Sequence, residues 1–180
     1  MLLIFLYLFL IIISILPTIF ILDVLVAGKS PLVTSPPHAR SAIRDLLDLN
    51  AKSVFYDLGC GTGSLLIECA SRFPSTKFIG IDNSPFSYVF SKIRTILSGR
   101  KNISSRFANF FNVDLSNATH IYLWIYVRDL DKLLKKFEAE LKPGTLIYSL
   151  DFPFSHKDPV KVSDLGKEHK FGHTLYIYEF

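Results

Sequence analysis

An acidic residue and three glycines stand together in the run Val54-Phe55-Tyr56-Asp57-Leu58-Gly59-Cys60-Gly61-Thr62-Gly63. Glycine at 59, 61 and 63 removes Cβ atoms where a turn must be tight and where a ligand must lie against main chain. Apolar residues precede the acid and a helical pattern follows, the setting of a small polar ligand held at a strand-to-helix turn. A dinucleotide fingerprint, G-x-G-x-x-G, would place its last glycine where Ser64 stands. A P-loop would end in Gly-Lys-Ser/Thr, and this turn does not, so phosphate cradling is poorly supported. A second acid, Asp82, follows Gly80-Ile81 at the end of the next apolar run. An ionised carboxylate only accepts hydrogen bonds, which suits the two adjacent hydroxyls of a ribose bound over the first turn. Further on, Asn109 sits between Phe107 and the pair Phe110-Phe111. Its amide could meet an adenine edge while the rings pack on the base.

Positioning these groups takes alternating strands and helices. Apolar patterning predicts strands over 53–58, 77–82, 103–110, 120–126 and 145–151, with helices over 64–72, 86–97 and 129–141. The stretch 174–180 alternates like a final edge strand, and 160–166 is its expected hairpin partner. Ahead of the first strand, 31–37 is a linker and helix start, with Ser35 as the cap beside Pro36 and Pro37. Ala39, Ala42, Ile43, Leu46 and Leu49 then recur at helical spacing. Strand-helix alternation of this kind predicts an α/β fold: a Rossmann-like, doubly wound, seven-stranded and mostly parallel sheet with helices on both faces. Asp129 and Asp131 fall where a helix begins and are expected to cap and start it.

The N-terminus is of another kind. Residues 2–22 carry no charge, about 31 Å of helix against the ~30 Å of a hydrocarbon core. A cleaved signal peptide would show a basic leading region and a shorter apolar stretch, so one N-terminal transmembrane helix is the expected reading. Residues 1–28 are then a membrane anchor and 29–180 the functional domain. The chain from Lys29 onward carries all 20 basic residues and 15 of the 16 acidic ones, a net +5. Lys29, Arg40 and Arg44 are the basic residues nearest the apolar run and all follow it, which predicts a single-pass protein with its domain in the cytoplasm. The basic residues are scattered, so nucleic acid is not an expected partner. An apolar content of 49% excludes disorder, and two cysteines exclude a disulfide scaffold. Cys60 and Cys69 are expected to be reduced small residues. The five histidines show no ligand spacing, so no metal is expected, and His38, near the expected helix start, either faces the site or, the favoured reading, is a solvated polar residue.

The glycine loop with Asp82 and Asn109 resembles the class I S-adenosylmethionine-dependent methyltransferases. That resemblance implies S-adenosyl-L-methionine as cofactor. It places Asp57, Leu58, Gly59, Cys60, Gly61, Thr62 and Gly63 at the amino-acid portion, Asp82 and Asn83 at the ribose, and Asn109 and Phe110 at the adenine. Ser35-Pro36, the run Asn109-Phe110-Phe111-Asn112-Val113-Asp114-Leu115, Tyr122-Leu123-Trp124 and Asp151-Phe152-Pro153-Phe154 narrow it. With the apolar N-terminus, they resemble the small membrane-anchored protein-lysine methyltransferases related to those of the adenine nucleotide translocase and the ATP synthase c-subunit. Those relatives usually carry Ser-Gly-Asp-Gly in the loop, where this chain has Cys60-Gly61-Thr62-Gly63.

On the acceptor side, Tyr122, Trp124 and Tyr126 are expected to share one face of a strand by period two. Tyr122 is expected in the core. Trp124, Tyr126 and Phe152 are expected at the carboxyl ends of strands, where they either line a substrate channel or pack internally. Three functions remain open: methylation of a lysine on a membrane-associated protein, methylation of a lipid or quinone, and a non-catalytic cofactor-binding scaffold at the membrane.

Overall fold

The computed structural model describes residues 1–27, 34–166 and 171–180. It has two compact units, Met1–Val33 and Thr34–Phe180. The expected boundary at 28/29 and the start of the expected linker lie outside the described residues.

The first unit holds α1 (Leu2–Ala27), a helix of 26 residues with Pro17 inside it. Among the described residues no helix is long and apolar enough to cross a membrane. The unbroken run of described side chains in α1 is 2–15, about 21 Å of rise against a core of ~30 Å.

The second unit begins with α2 (Pro37–Leu46). Then come β1 (Val54–Leu58), α3 (Ser64–Arg72), β2 (Lys77–Asp82), α4 (Pro85–Leu97), β3 (Ile103–Phe107) and β4 (His120–Leu123). The chain closes with α5 (Val127–Glu140), β5 (Leu146–Leu150), β6 (Lys161–Asp164) and β7 (Thr174–Glu179). The sheet order is β3-β2-β1-β4-β5-β7-β6. Strands β1 to β5 run parallel, and β7 inserts antiparallel between β5 and β6. β1 and β4 are neighbours from which the chain winds in opposite directions, the switch point outside which such sheets bind ligands.

One core layer packs α2 and α3 on the sheet through Ala39, Ile43, Leu65, Leu66 and Phe55. The other packs Leu130, Leu133, Leu134 and Phe137 of α5 on Tyr56, Ile79, Ile121 and Ile147. Both central strands are therefore apolar on both faces, as parallel strands under helices must be.

Five expectations need correction. β7 is interior, because β6 pairs outside it; the edge strand is β6, whose residues are mostly exposed. β3 stops at Phe107, and Phe110–Asn112 form a 3-10 turn capped by the Asn109 side chain. β4 stops at Leu123, so Trp124 and Tyr126 both lie beyond the strand that holds Tyr122, and Tyr126 becomes the N-cap of α5. Ser35 does not cap α2; Pro36 holds that place with no side-chain bond. The Ser35 hydroxyl is instead 2.7 Å from the Tyr122 hydroxyl. Likewise Asp131 lies within α5, and its carboxylate accepts from the Ser155 amide and hydroxyl.

Candidate active site

Asp57 is the fourth residue of β1, between Gly80 of β2 and Tyr122 of β4 in register. It is 3% exposed. Burial, with the Asp82 charge nearby, pushes its carboxyl up to about 8. The strand then ends in a turn held by main chain: the Gly59 and Cys60 amides both donate to Ile81 O, at 2.8 and 3.1 Å. Gly59, Gly61 and Gly63 all have positive φ. At Gly63 the requirement is double, because a Cβ would also stand 2.7 Å from Ser91 Oγ. Gly63 is the N-cap of α3, so the loop delivers its ligand side to a helix N-terminus.

Asp82 closes the turn from the neighbouring strand. Its Oδ2 accepts from the Gly61 amide at 2.9 Å and its Oδ1 from the Ser84 amide at 2.8 Å. The carboxylate thus holds the glycine loop from the end of β2. Gly80, two residues earlier, makes the packing possible: a Cβ there would sit 2.6 Å from Leu66 Cδ1 and 2.7 Å from Cys60 Sγ. Cys60 and Cys69 are free and buried, and burial pushes both thiols up, which fits small inert residues.

The remaining expected residues divide between two places. Leu58 is core and Thr62 is buried within the loop. Asn83 is exposed beside Asp82. Asn109 is exposed beyond β3, where its Oδ1 accepts from the Phe111 amide. Phe110 packs on Phe111, with ring centroids 4.8 Å apart. On the other side of the switch point, Tyr126 and Phe152 meet with centroids 6.0 Å apart. Trp124 does not join them. It packs with the layer that holds Tyr122, while Phe152 packs with the layer under α5.

Three contributors escaped the sequence reading. Arg94 of α4 reaches the loop from behind, donating to Thr62 Oγ1 at 3.0 Å and Ser64 Oγ at 2.7 Å. Ile125 lies against the loop; a Cβ on Gly59 would be 3.9 Å from its Cγ2. Ser91 fills the space beside Gly63 and bonds Ser105 at 2.9 Å. The signal for α4 was the polar spacing Ser87, Ser91, Thr95, one side of a helix at every fourth residue.

These groups fit a cationic ligand that carries vicinal hydroxyls. A buried acid held protonated to about pH 8 beside a second acid is a site short of positive charge. An ammonium and a sulfonium would supply it, and the lone pairs of Asp82 would meet two hydroxyls. Comparison with known proteins agrees. The ANTKMT methyltransferase domain model matches residues 57–161, more than half of the chain. The chain belongs to that family. A protein-lysine N-methyltransferase of Saccharolobus islandicus (strain REY15A) is 29% identical over 157 residues, 82% of this chain and 92% of that one. An RNA methyltransferase of Salinibacter ruber, solved with S-adenosyl-L-homocysteine, superposes with TM-score 0.74 and 26% identity, covering 82% of this chain and 93% of the other. A precorrin-6y C5,15-methyltransferase of Geobacter metallireducens shares the fold, with TM-score 0.63 and 18% identity over 83% and 89% of the two chains. The protein is a class I methyltransferase, and S-adenosylmethionine is its cofactor.

Proposed function

We propose that the chain methylates the side-chain amine of a lysine on a membrane-associated protein, tethered to the bilayer by α1. The observation that carries the lysine is the similarity to the Saccharolobus enzyme along 92% of that enzyme's length. The tether is supported by the uncharged run 2–22. The cytoplasmic placement of the domain is supported by the basic residues that follow that run, since such side chains resist translocation.

When bound, S-adenosylmethionine supplies a methyl group on a positively charged sulfur. The chain's own residues bind and orient. Asp57 and Asp82 would hold the amino-acid and ribose portions, the glycine loop would let main chain approach, and Asn109 with Phe110 would take the adenine. A lysine must lose its proton to attack, and a dry aromatic wall lowers an amine's pKa by desolvation. Tyr126 and Phe152, at the carboxyl ends of β4 and β5, are the rings placed to make that wall and to face an ammonium. Attack from the side opposite sulfur requires the amine at near-attack distance, which such a wall enforces by position.

Membranes containing the full chain, given methyl-labelled cofactor and separated into protein and lipid fractions, test the reading. Label in methyl-lysine after protein hydrolysis supports it. Label in lipid or quinone makes the acceptor a membrane small molecule, and no transfer with intact cofactor binding makes the chain a scaffold. Protease added to sealed right-side-out membranes should spare the domain; digestion there overturns the orientation.

A further inference from the structure

The helix α4 is built inside out. Its buried positions are Ser87, Ser91 and Thr95, hydroxyl residues spaced four apart. Its outward positions are apolar: Val89 is 53% exposed, Phe90 44%, Ile93 50%, Ile96 70% and Leu97 79%. Phe86 stacks on Phe90 with centroids 5.9 Å apart, extending the same row toward the start of the helix. On the inward side, the Ser91 hydroxyl bonds Ser105 and Arg94 holds the glycine loop, while the buried Thr95 hydroxyl has no partner among the described residues. Val89, Ile93, Ile96 and Leu97 of the outward row are all half exposed or more. A contiguous apolar row of this kind on a surface marks a face that something covers.

The surrounding charge says what. From Pro85 to Val113 the chain has five basic residues, Lys92, Arg94, Arg100, Lys101 and Arg106, and no acid. Lys92, Arg100 and Lys101 are exposed, and the last two follow the apolar tip Ile96-Leu97 across the turn at Gly99. Apolar side chains flanked by basic ones are the composition of a helix lying in a membrane interface. A symmetric contact between two copies through this face would bring two such patches together, each basic and without an acid from Pro85 to Val113, so like charges would meet. An anionic lipid surface takes both features at once.

We propose that the outward face of α4 docks on an anionic bilayer surface, with Ile93, Ile96 and Leu97 entering the headgroup region and Lys92, Arg100 and Lys101 pairing with lipid phosphates and carboxylates. The glycine loop, held by Arg94 of this same helix, then lies one helix thickness from the lipid.

The test uses the full chain reconstituted into vesicles of phosphatidylcholine alone or with 30% phosphatidylserine (roughly a typical anionic leaflet). A polarity-sensitive fluorophore is placed on Leu97→Cys, on Ile93→Cys and, as control, on Lys135→Cys of α5, which packs on the other face of the sheet. Cys60 and Cys69 are buried, so label goes to the introduced thiol. Spin-labelled lipid should quench positions 93 and 97 at least threefold more than 135, and more in phosphatidylserine vesicles. The triple variant Lys92→Glu, Arg100→Glu, Lys101→Glu should lose that excess while still binding cofactor and still sedimenting with vesicles. Equal quenching at 97 and 135 in a chain that sediments with vesicles overturns the proposal and leaves the tether standing. Cross-linking of Leu97→Cys between copies, with no quenching, overturns it in favour of a dimer. A chain that does not sediment with vesicles overturns both the docking and the tether.

Discussion

The rim of the sheet has two halves, built by different means. Over β1 and β2, the glycine loop is tied: two amides share Ile81 O, Gly61 is held by Asp82, and Arg94 clamps Thr62 and Ser64. Over β4 and β5, the groups are rings that touch one another, and Tyr126 is 58% exposed. The tied half is complete before any ligand arrives, which suits a cofactor that is the same in every turnover. The ring half offers apolar area with little fixed geometry, which suits an acceptor that another molecule brings. Substitutions in the first half should therefore act on cofactor affinity and stability together, and substitutions in the second on the acceptor alone.

The largest effect is expected at Asp82. Asp82→Ala removes the acceptor for the Gly61 amide as well as the acceptor for the ribose. Cofactor affinity should fall by about 1.5–3 kcal/mol, roughly 10- to 150-fold. The melting temperature of the cofactor-free chain should fall too, because a buried amide is left unpaired. Calorimetric titration and thermal melts measure both. A loss of affinity with an unchanged melt would make Asp82 a ligand only, and would loosen the picture of a preformed half.

Asp57 comes next and is read through pH. Its folded carboxyl titrates at about 8, while an unfolded one titrates at about 4. Between those values the folded chain binds the extra proton. The stability of the cofactor-free chain should thus fall as pH rises through that window and level off above it. Asp57→Asn should remove that slope and raise the melting temperature at pH 8 by about 2–8 °C, the shift that roughly 1–2 kcal/mol gives. Cofactor uptake, which brings positive charge to the pair, should release roughly one proton near pH 7 in the native chain and none in the variant. Titrations in buffers of different ionisation enthalpy count that proton, and a count of zero in the native chain would mean that Asp57 is already ionised.

How legible each half was follows from how each is encoded. The glycine loop could be read from residues alone, because positive φ at Gly63 and close packing at Gly80 each admit one residue type. α3 and β2 begin and end where the apolar periodicity put them, since their buried positions follow the regular pattern. β4 was misjudged at its end: the residues after Leu123 stay apolar and aromatic, but their backbone turns to start α5. Tyr126 therefore meets Phe152 by tertiary placement, which spacing along one strand cannot reveal. The position of β7 was misjudged for a related reason. Alternation tells a strand's faces apart but does not say whether both its edges are paired. Arg94 was missed because its partners, Thr62 and Ser64, are 30 residues or more away in sequence.

Arg94→Ala should weaken cofactor binding by about 0.5–1.5 kcal/mol, the usual value of such bonds. It touches the loop from behind, so the effect should run through loop order: amide exchange at 59–64 should quicken in the cofactor-free chain. Arg94→Lys should restore only part of the affinity, because one ammonium does not reproduce a planar fork. Full restoration by lysine would reduce Arg94 to a charge and weaken the contrast between the halves.

The smallest effect on the cofactor is expected at Tyr126. Its ring contacts Phe152 and caps no side-chain bond at the start of α5, so its loss leaves the glycine loop, Asp57 and Asp82 in place. Tyr126→Ala should change the cofactor dissociation constant by less than about twofold, well under 1 kcal/mol. Methyl transfer should suffer instead. Removing one wall of the pocket lets water reach the amine, so its pKa rises and a smaller fraction is neutral at a given pH. The rate profile should accordingly shift to higher pH, and Tyr126→Phe, which keeps the wall and drops the hydroxyl, should restore most of the activity. A fall in cofactor affinity for Tyr126→Ala would show that the two halves of the rim are one mechanical unit. A rate loss that phenylalanine does not restore would assign the chemistry to the hydroxyl, and the ring would cease to be the reason for this residue.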